Sequence, residues 1–350
     1  MCNILNTHQV FAFIYLFIYS FISSMTSKPI ISFGLITDVQ YADHDNTLNY
    51  RKDRTRYYRN SICLVKEAVV QWQDKANENN LKFIIQLGDL IDGKSANNRE
   101  KILDLLLNEL KSDFKETIPE FMLYHVWGNH EFYNFKRDEL VKTELNSAKL
   151  LNNQISEHAN YYKLDVTSDI KLICLDFYEL STIGYDEDSD IYKESMEFLR
   201  QNNHNTDPNY NEGLEGINRR FIRINGALNK KQLSWLEDQL QLLREQNKKV
   251  IICGHQPIHP NATLIPGCLA WNFQEILDIF DKFDGTILAY FSGHDHYGHY
   301  YYTSNNILHI TFDAILETPP GANAFVTIKI FENKIKIESV GVIGNHEINF

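Results

Sequence analysis

Five apolar runs in this chain end in a residue able to bind a cation, and four of those ends carry a glycine beside it. Residues 30–36 lead into Thr37-Asp38-Val39-Gln40, residues 82–87 into Gly88-Asp89, and residues 121–127 into Gly128-Asn129-His130-Glu131. Lys249–Cys253 leads into Gly254-His255, and residues 287–291 lead into Gly293-His294-Asp295-His296. Short apolar runs bounded by turn residues read as buried strands. Between them, Tyr58, Ile62, Val65, Val69 and Trp72 fall on one helical face within a helix expected over about 49–79. A second helix is expected near 99–111, and Leu233, Leu236, Leu240 and Leu243 mark another over 230–248. A further strand is expected at 171–176, and the tail 307–342 alternates in strand fashion. Strands alternating with helices stack as α/β layers. Ligands in such folds sit beyond the strand ends, so the polar boxes are expected to converge on one site.

The candidate set is Asp38, Gln40, Asp89, Asn129, His130, His255, His294 and His296. These side chains offer oxygen and imidazole without thiolate, which suits Mn, Fe, Zn or, with more oxygen, Mg. Two cations about 3.5–4 Å apart can clamp the attacking and leaving oxygens of a phosphoryl displacement. Asp89, central in the pattern, is the best placed carboxylate to be shared between them. Alone, each aspartate or asparagine would read as a strand-end turn residue and each histidine as a surface or core group. Their joint occurrence reverses that reading.

The order of these boxes resembles the calcineurin-like dinuclear metallophosphatases. The longer strings TDVQYAD, WGNHEFYNF, Cys268-Leu269-Ala270-Trp271-Asn272 and Glu317-Thr318-Pro319-Pro320 resemble the manganese-dependent ADP-ribose/CDP-alcohol diphosphatases, over roughly residues 30–345. The resemblance implies two mixed β-sheets in a sandwich flanked by helices, with a dimetal site at the sheet edges. It implies one cation on Asp38, Gln40, Asp89 and His296 and a second on Asp89, Asn129, His255 and His294, with Mn²⁺ preferred and Mg²⁺ weaker. It further implies hydrolysis of the pyrophosphate bond of ADP-ribose or CDP-choline by a hydroxide held between the metals, with His130 beside the leaving oxygen. Tyr41, as a base-stacking residue, and Leu214 and Cys268 become candidates for the substrate pocket, although packing explains Leu214 or Cys268 taken alone. A phosphomonoesterase or cyclic-nucleotide phosphodiesterase on the same scaffold remains the alternative.

Two positions depart from the family's pattern. Asp295 stands where the last box often carries threonine. It is expected to point away from the metals, with partnership to an imidazole N–H as one role. Tyr41 stands where relatives can carry phenylalanine. Gln40 occupies a position where the wider superfamily uses imidazole. Its neutral, harder oxygen is expected to favour Mn or Mg over Zn.

The formal net charge of −12 argues against nucleic-acid binding. The five cysteines are odd in number and form no Cys-x-x-Cys, so reduced thiols are expected rather than a disulfide framework. That favours a cytoplasmic enzyme; a monomer acting on nucleoside diphosphate-linked small molecules is further expected, with no nucleic-acid partner and no obligatory protein partner. The apolar run 10–22 is short for a transmembrane helix. No Lys or Arg precedes it, and it is compatible with a signal peptide, an anchor, an organelle leader or an upstream extension. The chain thus divides into a leader at 1–27 and one domain over 28–350, with a polar, Asn-rich insertion at about 180–228. Within it, residues 186–197 mimic a calcium loop but carry Ile191 where glycine is required.

Overall fold

In the computed structural model, strands buried on both faces account for the continuous apolar runs. On β1 (Ile31–Ile36), Phe33 and Leu35 point into one apolar layer and Ile36 into another. Structure is described for residues 28–111, 114, 118, 121–151 and 158–350, so the leader reading for 1–27 lies outside the described residues. The remaining strands are β2 (Thr47–Leu48), β3 (Thr55–Arg56), β4 (Leu81–Gln86), β5 (Met122–His125), β6 (Tyr162–Asp165) and β7 (Ile170–Cys174). They continue as β8 (Lys249–Cys253), β9 (Ile287–Ser292), β10 (Tyr297–Tyr302), β11 (Leu308–Asp313), β12 (Phe325–Ile330), β13 (Lys334–Val340) and β14 (His346–Asn349).

Two six-stranded mixed sheets form, in the orders β14-β13-β12-β1-β4-β5 and β10-β11-β9-β8-β7-β6. The parallel members β1, β4 and β5 lie together in the first sheet, and β7, β8, β9 and β11 in the second. Period-two alternation sends Phe83, Ile85, Ile251 and Cys253 into the layer between the sheets. It sends Ile84, Val250 and Ile252 outward under the helices. Burying such side chains is worth about 1.5–3 kcal/mol each, which holds the two sheets at a fixed separation and their strand ends side by side.

The helix expected over 49–79 begins only at Ser61 and runs to Asp74, followed by a short turn of helix at Ala76–Asn79. Residues 47–56 instead form the β2–β3 hairpin. Asn49 closes its turn: Oδ1 accepts from Asp53 N and Arg54 N, and Nδ2 donates to Asp53 Oδ1 at 2.9 Å. Such side-chain bonds to nearby backbone compete with helix. The helix Arg99–Lys111 matches its expected span, and Lys230–Glu245 ends three residues before the 248 expected. Residues 180–228 contain the helix Asp190–Asn202 and a short 3₁₀ turn at Gly216–Arg220, packed around Leu199, Phe221, Ala227 and Trp271. Cys63, Cys174, Cys253 and Cys268 are free thiols. Among the described residues, no helix is long and apolar enough to cross a membrane.

Candidate metal centre

Each box lies at the C-terminal end of a parallel strand, and backbone bonds carry the sheet ladders on into the boxes. Asp38 N donates to Gly88 O at 3.1 Å and Gln40 N to Asp89 O at 2.9 Å. In the other sheet, Gly293 N donates to His255 O at 2.9 Å. The two sheets then meet directly: His294 N donates to Asp38 Oδ2 at 3.0 Å, and Thr37 Oγ1 donates to the same oxygen at 2.7 Å. A Cβ on Gly293 would run into Thr37 Oγ1 and Asp38 Oδ2, so only glycine permits this approach. Gly88, at φ +106°, is similarly pressed against the His255 ring.

The result is two overlapping groups of buried donors, Asp38–Asp89–His296 and Asp89–His255–His294, whose ligand atoms lie within 4.8 Å of one another in each group. Asp89 belongs to both. Asp89 Oδ2 is 3.4 Å from His255 Nε2, and Asp38 Oδ1 is 3.2 Å from His296 Nε2. Asn129 Oδ1 joins the second group, 3.3 Å from His255 Nε2. Gln40 joins the first, its amide 2.9 Å from both Asp89 Oδ2 and His296 Nε2. All seven side chains that the sequence marks as ligands therefore come together.

These residues fit cations. Asp38 Oδ1 and Gln40 Oε1 are buried without a hydrogen-bond partner. The oxygen and nitrogen of an amide are assigned from the network around them. Turned over, Gln40 presents its oxygen to the same two atoms its nitrogen now faces. The imidazoles are oriented as well: His255 Nδ1 donates to Leu87 O at 2.9 Å and His296 Nδ1 to Glu317 Oε1 at 3.0 Å, which makes Nε2 of each ring the nitrogen that offers a lone pair once its proton is displaced. Glu317 is itself held by Arg56 at 3.3 Å. Burial alone would pull His255 and His296 down. The carboxylates of Asp89 and Asp38 push His255 up to about 9, and Glu317 with Asp38 pushes His296 up to about 10. His294 is instead brought down to about 3 by burial and the neighbouring His255 charge.

His130 sits beside the group rather than in it. Its Nε2 is 3.9 Å from Asp89 Oδ2 and its Nδ1 is 3.1 Å from Asp92 Oδ2. Burial works against its charged form, but Asp89 and Asp92 outweigh it and raise its pKa. Glu131 is buried behind the boxes. Its Oε2 accepts from Asp89 N at 2.8 Å and Gly128 N at 2.7 Å, and its Oε1 accepts from Leu90 N at 2.7 Å.

The substrate candidates separate. Cys268 Sγ lies 3.9 Å from His294 O, beside the centre. Leu214 packs on the cluster of Leu199, Phe221 and Trp271. Tyr41 is half-buried against the core, and the charges that act on its hydroxyl are Asp43, Arg59, Cys63 and Lys66, none of them a candidate ligand. Asp295 does point away from the centre, but to a loop rather than an imidazole. Its Oδ2 accepts from Thr263 Oγ1 at 2.7 Å and Leu264 N at 3.1 Å. The imidazole partner is Glu317, which sequence reasoning places in a string without a role. Asp92 and Asn225 were also missed. Asp92, three residues after Asp89, carried a readable signal, whereas Asn225 is one of many asparagines in its segment.

Residues 31–298 match the model of the calcineurin-like phosphoesterases. The chain is 35% identical to the manganese-dependent ADP-ribose/CDP-alcohol diphosphatase of Danio rerio, over 92% of this chain and 99% of that one. Identity to the human protein of that name is 34%, covering 93% of this chain and 95% of the relative. For Arabidopsis thaliana it is 35%, covering 90% and 95%. A crystal structure of a dimetal phosphatase from Danio rerio superposes with a TM-score of 0.83 at 36% identity, covering 92% of this chain and 100% of that one. With its sheet order, strand-end boxes and paired donor groups, the chain belongs to the calcineurin-like phosphoesterase family.

Proposed function

We propose that this chain is a manganese-dependent hydrolase of the pyrophosphate bond in nucleoside diphosphate-linked compounds. ADP-ribose would give AMP and ribose 5-phosphate, and CDP-choline would give CMP and phosphocholine. The observation that carries this reading is the pair of buried donor groups sharing Asp89. The names of the full-length relatives support the substrate class. One cation would rest on Asp38, Gln40, Asp89 and His296, the other on Asp89, Asn129, His255 and His294. When bound, the pair supplies positive charge for phosphate oxygens and acidifies water for in-line attack.

The chain's own residues do the remaining work. Asp92 holds His130 through Nδ1 and, with Asp89, favours its protonated form, whose Nε2–H can pass its proton to the leaving phosphate oxygen. Glu131 holds the turn that carries Asp89. Cys268 borders the centre on one side, and the insertion at about 180–228, which includes Leu214, forms a cover over the substrate. The test is turnover of ADP-ribose, CDP-choline, cAMP and p-nitrophenyl phosphate with Mn²⁺ and with Mg²⁺. Both diphosphates should be cleaved, faster with Mn²⁺. Turnover confined to cAMP or the monoester would replace the diphosphatase reading.

A further inference from the structure

A neutral imidazole has one lone pair to offer, and the hydrogen on its other nitrogen decides which. His255 and His296 are settled by a backbone carbonyl and a carboxylate. His294 is settled by a residue from the insertion: its Nε2 lies 2.7 Å from Asn225 Oδ1. The Asn225 amide has no freedom to turn over. Its Nδ2 donates to Arg220 O at 2.8 Å and to Gly267 O at 2.6 Å, which fixes Oδ1 on the histidine side. An amide oxygen only accepts, so His294 Nε2 carries the hydrogen and Nδ1 carries the lone pair. Asn225 is fully buried. Neighbours in the same strip support the other ligands of that group. Ile224 O is 3.4 Å from the Tyr178 hydroxyl, which is also 3.4 Å from Asn129 Oδ1. Gly226 N donates to Gln256 Oε1 at 3.3 Å, one residue beyond His255.

We infer that Asn225 is a positioning residue for the second cation: it keeps the hydrogen of His294 on Nε2, presents Nδ1 to the ion, and so ties occupancy of that ion to the folded 180–228 segment. The inference rests on the two-cation reading above. It assigns the insertion a task besides covering substrate, because a chain with this segment displaced would keep the Asp38–Asp89–His296 group and lose the partner that sets His294. Outer partners of ligating histidines typically account for about 10–100-fold in metal affinity.

Two variants of the full chain separate this role from simple folding. Asn225→Ala and Asn225→Asp both lose the Nδ2 bonds that pin the strip. Only Asn225→Asp keeps an oxygen to accept from Nε2. Mn²⁺ stoichiometry and affinity would be measured by calorimetry, with electron paramagnetic resonance reading the exchange-coupled Mn pair. The wild type should bind two Mn²⁺. Asn225→Ala should bind the second about 10–100-fold more weakly, with the first unchanged and a mononuclear signal in place of the coupled one. Asn225→Asp should retain the coupled signal. Asn225→Ala binding both ions as the wild type does would overturn the inference, as would Asn225→Asp losing the second ion as fully as alanine does. A wild-type chain that binds fewer than two Mn²⁺ would overturn the two-cation reading, and this inference with it.

Discussion

Asp38, Gln40, Asp89, His294 and His296 all adopt left-handed backbone, with φ between 40° and 73°. For residues with a Cβ this conformation costs roughly 1–2 kcal/mol each, and its clustering at one site is the mark of function built on strain. It lets each strand turn sharply at its end, so that side chains two residues apart, such as His294 and His296, enter different donor groups. The residue types and their order are legible in the sequence, because a buried parallel strand is an unbroken apolar run and its donor follows at once. The partners are not: Glu317, Asp92 and Asn225 lie 21, 38 and 69 residues from the histidines they contact. Two substitutions test this scale. His130→Ala should lower kcat by about 10²–10⁴-fold while leaving bound Mn²⁺ unchanged, because His130 belongs to neither donor group. Full activity in that variant would remove His130 from proton transfer. Gln40→His replaces a hard amide oxygen with imidazole and should shift preference from Mn²⁺ toward Zn²⁺. Unchanged metal selectivity would show that Gln40 does not tune the centre.

At the scale of elements, the edge strands and the hairpin were the hard parts to read. β10 and β6 are half-exposed, so their apolar signal is weak. The stretch before Ser61 looks helical by spacing, yet Asn49 turns it into a hairpin whose Arg56 holds Glu317 and whose Arg54 Nη1 donates to His296 O at 3.1 Å. The join between the turn after the third box and β7 depends on one buried pair. Arg137 donates to both oxygens of Asp176, Nη1 at 2.7 Å and Nη2 at 3.3 Å, with its guanidinium near the rings of Trp127, Phe132 and Tyr185. Removing one partner of such a pair leaves a buried charge alone, at a cost of roughly 3–5 kcal/mol. Arg137→Leu should therefore lower the unfolding free energy read from urea melts by an amount in that range. A loss under about 1 kcal/mol, the range typical of exposed pairs, would show that solvent reaches Asp176.

For the whole molecule, cations should be part of the fold's stability. The buried carboxylates of Asp38 and Asp89 repel each other, and nearby histidine charges offset that repulsion. Mn²⁺ at about 100 times its Kd should stabilise the folded state by about 2.7 kcal/mol per site, and a chelator should reverse it. The pH dependence has a definite sign. His255 and His296 have raised folded-state values, about 9 and about 10, so their protonation supports the metal-free fold fully below the ordinary histidine range and fades as pH climbs through those values. Those same protons compete with the ions. The stabilisation by Mn²⁺ should therefore grow from pH 6 to pH 9, as read by denaturant melts. A constant increment would mean that the ions displace no protons.

Each donor group draws on both sheets: Asp38 and Asp89 end strands of the first, while His255, His294 and His296 belong to the second. A pair of ions seated there acts as a rivet through the sandwich. Without it, the ends of β1, β4, β8 and β9 rely on hydrogen bonds such as His294 N to Asp38 Oδ2 and His255 Nδ1 to Leu87 O, while the apolar layer beneath stays closed. Amide hydrogen exchange should accordingly fray at that rim first, and the spacing between the two ions becomes a gauge of how the sheets are set against each other.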